Sequence, residues 1–215
     1  MTFFTRVLLA GTALGLVSTG AHAQLAQWSF TGNVLTPTTV GSNVTASSIA
    51  NNSLQSFGAV TNLLQAAPAS GATGGNNNMT GAVAAKSFFE FTLTPNTNYA
   101  VSISSFSFSA GFPNNTSAVL RSSVDNYTAD LGTVANQGST LSPYSFSLSS
   151  VSALQGRISP ITFRVYVHGA NANTASQFDN LTLNGTTALV PEPGSLALIG
   201  LGLVGVVGLA RRRRA

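Results

Sequence analysis

The sequence predicts an all-β body, a β-sandwich of jelly-roll type, carried between an N-terminal signal peptide and one C-terminal transmembrane helix. Three observations lead there. About seven short runs of aromatic and β-branched residues alternate with period two between Gly, Asn and Pro turns. Residues 1–23 carry the parts of a secretory leader. Residues 196–210 form an unbroken apolar run closed by four arginines.

At the N-terminus Arg6 supplies a positive charge, residues 7–17 a short apolar region rich in Leu and Ala, and Ala21-His22-Ala23 a small-x-small cleavage site. The mature chain is expected to start at Gln24, which leaves His22 in the discarded leader. The Sec translocon and signal peptidase are the partners such a leader implies. An uncleaved N-terminal anchor is the competing reading, and the apolar region is short for one.

Between the two ends the charged residues are Lys86, Arg121, Arg157 and Arg164 against Glu90, Asp125, Asp130 and Asp179. They cancel, so the net charge of +4 belongs to the termini. A neutral body has no basic footprint for nucleic acid. The chain has no cysteine, which excludes thiol nucleophiles, thiolate metal sites and disulfides. A body of about 165 residues must then be held by its hydrophobic core alone.

Taken in order, residues 28–31 in QWSFTG read as a first strand ended by Gly32-Asn33. Residues 36–50 have no strong period. Ile49, Phe57, Val60 and Leu64 share one face of a helix over about residues 51–67, with an irregular loop as the open alternative. PASGATGGNNNMTG, residues 68–81, reads as a flexible loop. From Lys86, Phe89, Phe91 and Leu93 alternate with Phe88, Glu90 and Thr92 in a strand. After a turn at residues 95–98, Tyr99, Val101 and Ile103 alternate again. The phase then slips to Phe106 and Phe108, which places a bulge at Ser104-Ser105. Residues 118–123 make a short strand, followed by a loop through Gly138. Tyr144, Phe146 and Leu148 share a face of the next strand. Ile161, Phe163, Val165 and Val167 point inward from another. The final strand, residues 178–183, ends at Asn184-Gly185.

Residues 190–215 read VPEPGSLALIGLGLVGVVGLARRRRA. The apolar run, counted from Leu196 or from Gly194, spans roughly 22–26 Å as a helix. That is slightly short of a ~30 Å hydrocarbon core, a gap that snorkelling arginines and local thinning absorb. A buried helix with a basic tail is the alternative; Gly200, Gly202, Gly205 and Gly208 argue against it. The arginines should stay cytoplasmic, placing everything before Pro191 outside the inner membrane. Pro191-Glu192-Pro193, then the apolar run, then the arginine cluster, resembles the PEP-CTERM sorting signal of Gram-negative bacteria. The resemblance implies that exosortase, a membrane-embedded cysteine protease, recognises Pro191, Glu192 and Pro193, and that Arg211, Arg212, Arg213 and Arg214 are a retention signal. It further implies a transient inner-membrane precursor, then delivery to the cell surface or extracellular matrix, with exopolysaccharide as a candidate partner.

The body, residues 24–189, also resembles the recurring extracellular β-sandwich module of PEP-CTERM proteins, through FFEFTLTPNTNYAVSISSFSFS, AVLRSSVDNY, YSFSLSS, ITFRVYVHG and FDNLTLNG. More distantly it resembles jelly-roll carbohydrate-binding modules. The module brings no activity with it. Sugar binding would need exposed aromatic faces beside amides or carboxylates. Trp28, Phe88, Tyr127, Tyr144 and Tyr166 are the platforms available, with Trp28, Tyr127 and Tyr166 the candidate glycan contacts. His168 is the one histidine of the body, and catalysis would require the fold to bring it to Asp179 and a serine. There is no G-x-S-x-G, no H-E-x-x-H and no phosphate loop. Asp179 is expected to accept backbone N–H bonds or to pair with Arg121 or Arg164. A structural Ca²⁺ would draw on Asp125, Asp130 or Asp179, without any EF-hand loop. No catalytic residue, metal ligand or cofactor is assigned. The expected protein is a non-enzymatic exported surface or matrix protein, with a carbohydrate-binding module as alternative and an extracellular hydrolase as a second.

Overall fold

Residues 23–113, 115–135 and 138–190 are described by a computed structural model; the leader, the Pro-Glu-Pro motif, the apolar run and the arginines lie outside them. In chain order the elements are β1 (Ala23–Trp28), β2 (Thr39–Val40), β3 (Val44–Ala46), β4 (Ala50–Asn51), β5 (Gln55–Val60), β6 (Leu63–Ala67), α1 (Met79–Ala84), β7 (Phe88–Pro95), β8 (Tyr99–Phe112), β9 (Ser117–Ser122), β10 (Gly132–Ala135), β11 (Gly138–Ser147), β12 (Ile161–His168) and β13 (Ser176–Leu189). One sheet runs β11-β8-β13-β1-β2, with β6 also on β13 and β5 on β6; the other runs β10-β9-β12-β7-β3, with β4 on β7. Among the described residues no helix is long and apolar enough to cross a membrane.

Period-two side chains make this a two-sheet sandwich, because each strand has one apolar face to bury. Phe89, Phe91 and Leu93 of β7 and Ile161, Phe163, Val165 and Val167 of β12 all point into the core, as their alternation predicts. From the opposite sheet come Trp28, Phe106, Phe108, Phe112 and Phe178. Phe91 sits centrally, its ring centroid 4.7 Å from Trp28, 5.7 Å from Phe106 and 5.6 Å from Phe163. Each such buried side chain contributes roughly 1.5–3 kcal/mol of transfer free energy. This aromatic seam stands in for the missing disulfides.

The long central strands carry two irregularities with local causes. Asn184 pairs with Ser105 and Gly185 with Ile103, so Ser104 is the extra residue of β8, at the bulge that the phase slip predicts. In β13 the register shifts between Asp179 and Thr182, where Asn180 adopts φ 51°. Gly185 does not end the strand. Its backbone passes so close to β8 that an added Cβ would lie 2.1 Å from the Ser102 carbonyl oxygen, and only glycine permits that approach.

Several expectations are corrected. The first strand covers Ala23–Trp28 rather than residues 28–31, because Phe30 turns the chain with φ 55° and buries its ring. Residues 51–67 form neither a helix nor an irregular loop over most of their length. They make the β5–β6 hairpin, whose Thr61-Asn62 turn has φ 51° and 61°, the positive pair of a type I′ turn. Residues 68–81 are not simply a loop: 3-10 turns at Ser70–Ala72 and Gly74–Asn76 lead into α1, capped by Asn78, whose Oδ1 accepts the Gly81 N–H at 2.9 Å. The predicted loop before Gly138 contains β10. The last strand continues to Leu189.

Candidate functional site

The outer face of the second sheet gathers half of the body's eight charged side chains, in two ion pairs. Strand pairing sets Arg164 of β12 beside Glu90 of β7 and Arg121 of β9. Two residues along the same face, Tyr166 lies between Phe88 and Val119. Arg164 Nε donates to Glu90 Oε2 at 2.9 Å. Its guanidinium carbon lies 4.3 Å from the Phe88 ring centroid and 3.7 Å from that of Tyr127. The cation is therefore stacked between two aromatic rings and neutralised at its edge.

Arg121 braces the same group from its other side. Its Nε donates to Asp130 Oδ1 at 2.6 Å and its Nη1 to the Tyr127 carbonyl at 2.8 Å. Asn126 and Tyr127 adopt φ 58° and 60° in succession. A left-handed conformation costs a non-glycine residue about 1–3 kcal/mol. Here the Tyr127 N–H to the Ser122 carbonyl, the Arg121 bond and the Arg164 stack hold it in place. Burial raises the Tyr127 phenol above its usual value, with Arg164 opposing and Glu90 reinforcing the rise. For Arg164, burial pulls the guanidinium down, but hydrogen bonds to Glu90 and Tyr166 outweigh it and the net shift is upward.

Above this ladder, α1 closes a small second core of Ala72, Ala82, Phe88, Val119 and Tyr166. Between α1 and the ladder an open groove of about 390 Å³ is lined by Met79, Thr80, Val83, Ala84 and Arg121. The outer face of the first sheet is of another kind. There a groove of about 280 Å³ is lined by Ser104, Ser105, Ser147, Ser149 and Asn184, with no charged group.

Of the three predicted glycan contacts, two are corrected. Trp28 is fully buried, its Nε1 donating to the Ser47 carbonyl at 3.1 Å, because its strand position faces the opposing sheet. Tyr166 does face outward from its sheet, but α1 and its preceding turns cover it. Phe88 lies under the same cover, and Tyr144 packs inward on Phe108 and Phe112. Of the five platforms Tyr127 and Tyr144 are half-buried, and Tyr127 is the one beside the charged ladder. Arg164, Arg121, Glu90 and the α1 wall are the participants that sequence reasoning missed. Alternation marks Glu90 and Arg164 as outward-facing, but which strands are neighbours is not written in it.

His168 and Asp179 lie in different sheets. His168 Nδ1 is 2.8 Å from Asn77 Oδ1, and burial lowers its pKa. Asp179 accepts the Asn180 N–H at 2.8 Å, as expected of a backbone acceptor. It pairs with neither arginine: it sits on β13 of the first sheet, whereas Arg121 and Arg164 stand on β9 and β12 of the second, paired with Asp130 and Glu90. Burial raises the Asp179 pKa, against the Asn180 hydrogen bond. Asp125 Oδ2 accepts the Ala129 N–H at 2.8 Å and closes its own turn. Among the described residues no group of three or more His, Cys, Asp or Glu side chains is placed to hold a metal, and no nucleophile, base and orienting group come together.

Residues 189–214 match the PEP-CTERM protein-sorting motif. No curated protein was found to match the sequence. Among solved structures, the chain is similar to a family 29 carbohydrate-binding module from Piromyces equi, at 8% identity over 77% of this chain and 91% of that one, with a TM-score of 0.40. It is similar to the K3 cleaved adhesin domain of Lys-gingipain from Porphyromonas gingivalis, at 9% identity over 76% and 99%, with a TM-score of 0.41. A third is the family 11 carbohydrate-binding module of the cellulase Lic26A-Cel5E of Clostridium thermocellum, at 12% identity over 79% and 97%, with a TM-score of 0.34. At these identities and TM-scores the likenesses carry no argument about what the chain does, and the sandwich rests on its own sheet pairing. The chain thus joins an all-β two-sheet sandwich to a PEP-CTERM sorting motif, the mark of an exosortase substrate exported to the cell envelope or surface.

Proposed function

We propose that the protein is a non-catalytic surface domain that binds glycan, a carbohydrate-binding module of jelly-roll type delivered by an exosortase-type system. In this reading residues 1–23 are removed after Sec export, residues 24–189 are the working body, and residues 190–215 hold an inner-membrane precursor until cleavage at Pro191, Glu192 and Pro193. Arg211, Arg212, Arg213 and Arg214 retain the precursor, and exopolysaccharide is the ligand class nearest to hand. One observation carries the binding reading. On a body otherwise coated with Ser, Thr and Asn, a half-exposed ring, two guanidinium groups and two carboxylates converge beside an open groove. A sugar presents C–H faces that rest on such a ring and hydroxyls that bond such charges.

The test is titration of the exported protein against the producing bacterium's exopolysaccharide and a glycan panel. Tyr127→Ala should weaken binding about tenfold, the loss of one ring contact of ~1.4 kcal/mol. Absence of affinity for every glycan refutes the reading. It would favour a matrix protein without a ligand, which the uncharged serine face of the first sheet also suits. For processing, the mature C-terminus read by mass spectrometry should fall at or before Pro193, and Glu192→Ala should abolish cleavage.

A further inference from the structure

The chain leaves the sandwich without slack. β13 stays paired with β8 to its last residue, Leu189 opposite Tyr99, and the Val190 N–H donates to the Asn98 carbonyl at 2.8 Å. The matched motif begins inside that strand, at residue 189. Only residues 191–195 separate Val190 from the apolar run. Six Cα steps reach about 20 Å at full stretch. A headgroup layer of about 5–8 Å takes up part of that. With Leu196 at the hydrocarbon boundary, the remaining reach keeps this end of the sandwich within about 15 Å of the headgroup surface.

The surface at this end suits such a neighbour. Ile158 at 68% and Leu189 at 66% are the most exposed large apolar side chains among the described residues. Both lie here. Arg157 pairs with Val101 through two backbone hydrogen bonds of 2.8 and 2.7 Å, and Val101 lies opposite Thr187 of β13. Ile158 is therefore about two strand spacings, ~10 Å, from the end of β13. Arg157 forms no ion pair among the described residues, and its buried Nε has no partner. Tyr99 is half-buried on the same rim. Asp125, near this end on the second sheet, turns its Oδ2 into its own loop. Apolar side chains, a tyrosine and an unpaired arginine are the groups that settle at a bilayer interface.

We infer that Arg157, Ile158 and Leu189, with Tyr99, dock on the phospholipid surface while the C-terminal segment is inserted, standing the sandwich on the bilayer with its processing motif at the interface. The inference rests on the reading of residues 196–210 as a membrane segment. Ile158 and Leu189 enter the headgroup margin, and Arg157 takes a lipid phosphate. Glycan binding on the side of the second sheet is left open to the periplasm.

The absence of cysteine makes the test direct. Ile158→Cys, Ala170→Cys and Val204→Cys are each made in the full chain, labelled with an environment-sensitive fluorophore and reconstituted in phosphatidylethanolamine–phosphatidylglycerol vesicles containing doxyl-lipid quencher. Ala170 is exposed in the loop at the opposite end, before a β13 that is roughly 45 Å long. The Val204 label should be strongly quenched, and the Ile158 label at least twofold more than the Ala170 label. Adding Arg157→Glu should reduce quenching at Ile158. Quenching at Val204 with Ile158 no different from Ala170 overturns the docking while leaving membrane insertion standing. An unquenched Val204 label overturns the insertion reading, and the docking with it.

Discussion

Arg164→Met tests whether the stacked cation holds the candidate site together. Methionine keeps an unbranched side chain and removes the charge, so the substitution deletes two ring stacks and one ion pair. Stacking on Phe88 and Tyr127, at 4.3 and 3.7 Å, is worth about 0.5–1 kcal/mol each at a partly exposed site. The Glu90 pair has side chains 26% and 31% exposed, so solvent screening limits it to roughly 0.2–1 kcal/mol. The sum is about 1–3 kcal/mol, read as a shift in the urea midpoint at unchanged slope. A double-mutant cycle with Tyr127→Leu should return a coupling of about 0.5–1 kcal/mol that survives 1 M salt, where the Debye length is ~3 Å. The coupling to Glu90, from a cycle with Glu90→Gln, should shrink in the same salt. A variant within about 0.3 kcal/mol of the parent, or no coupling to Tyr127, refutes the claim that Arg164 holds the strained Tyr127 turn.

Three further outcomes follow from the geometry. Asn78→Ala removes the α1 cap and should cost about 1 kcal/mol, with amide exchange accelerating over Met79–Ala84 before the core strands. Gly185→Ala drives a Cβ against the Ser102 carbonyl and Leu25, and should cost about 2 kcal/mol or more in thermal or urea unfolding; a neutral result would mean that β8 and β13 separate easily there. His168 is held by burial below the usual imidazole value of 6.5, so the unfolded chain binds the proton first. Its contribution is complete above about pH 6.5 and lost as pH falls through the lowered folded value. Urea midpoints from pH 7.5 downward should show that fall in the parent and a flatter profile in His168→Gln.

What was legible in the chain was whatever depends on near neighbours. Ile161–His168 repeats its apolar residues without a fault, so both its strand state and its inward face could be read off. The bulge at Ser104 was visible because a phase slip between Ile103 and Phe106 has one inexpensive remedy. The hairpin at Gln55–Ala67 was hidden, since Ile49, Phe57, Val60 and Leu64 fit a helical spacing as well as a broken alternation. Its turn signal, Thr61-Asn62, lacks the glycine that usually announces such turns.

The sequence by itself determined the sorting motif and the class: a Pro-Glu-Pro motif, an apolar run and an arginine block are contiguous, and strand alternation is a property of a few residues at a time. Tertiary structure alone decided which rings meet solvent and which charges meet each other. Trp28 and Tyr166 differ little from Tyr127 as side chains; they are buried because an opposing sheet and α1 happen to cover them. Arg164 meets Glu90 across 74 residues of chain only because β12 pairs with β7, and that choice is made by the packing of the whole sandwich.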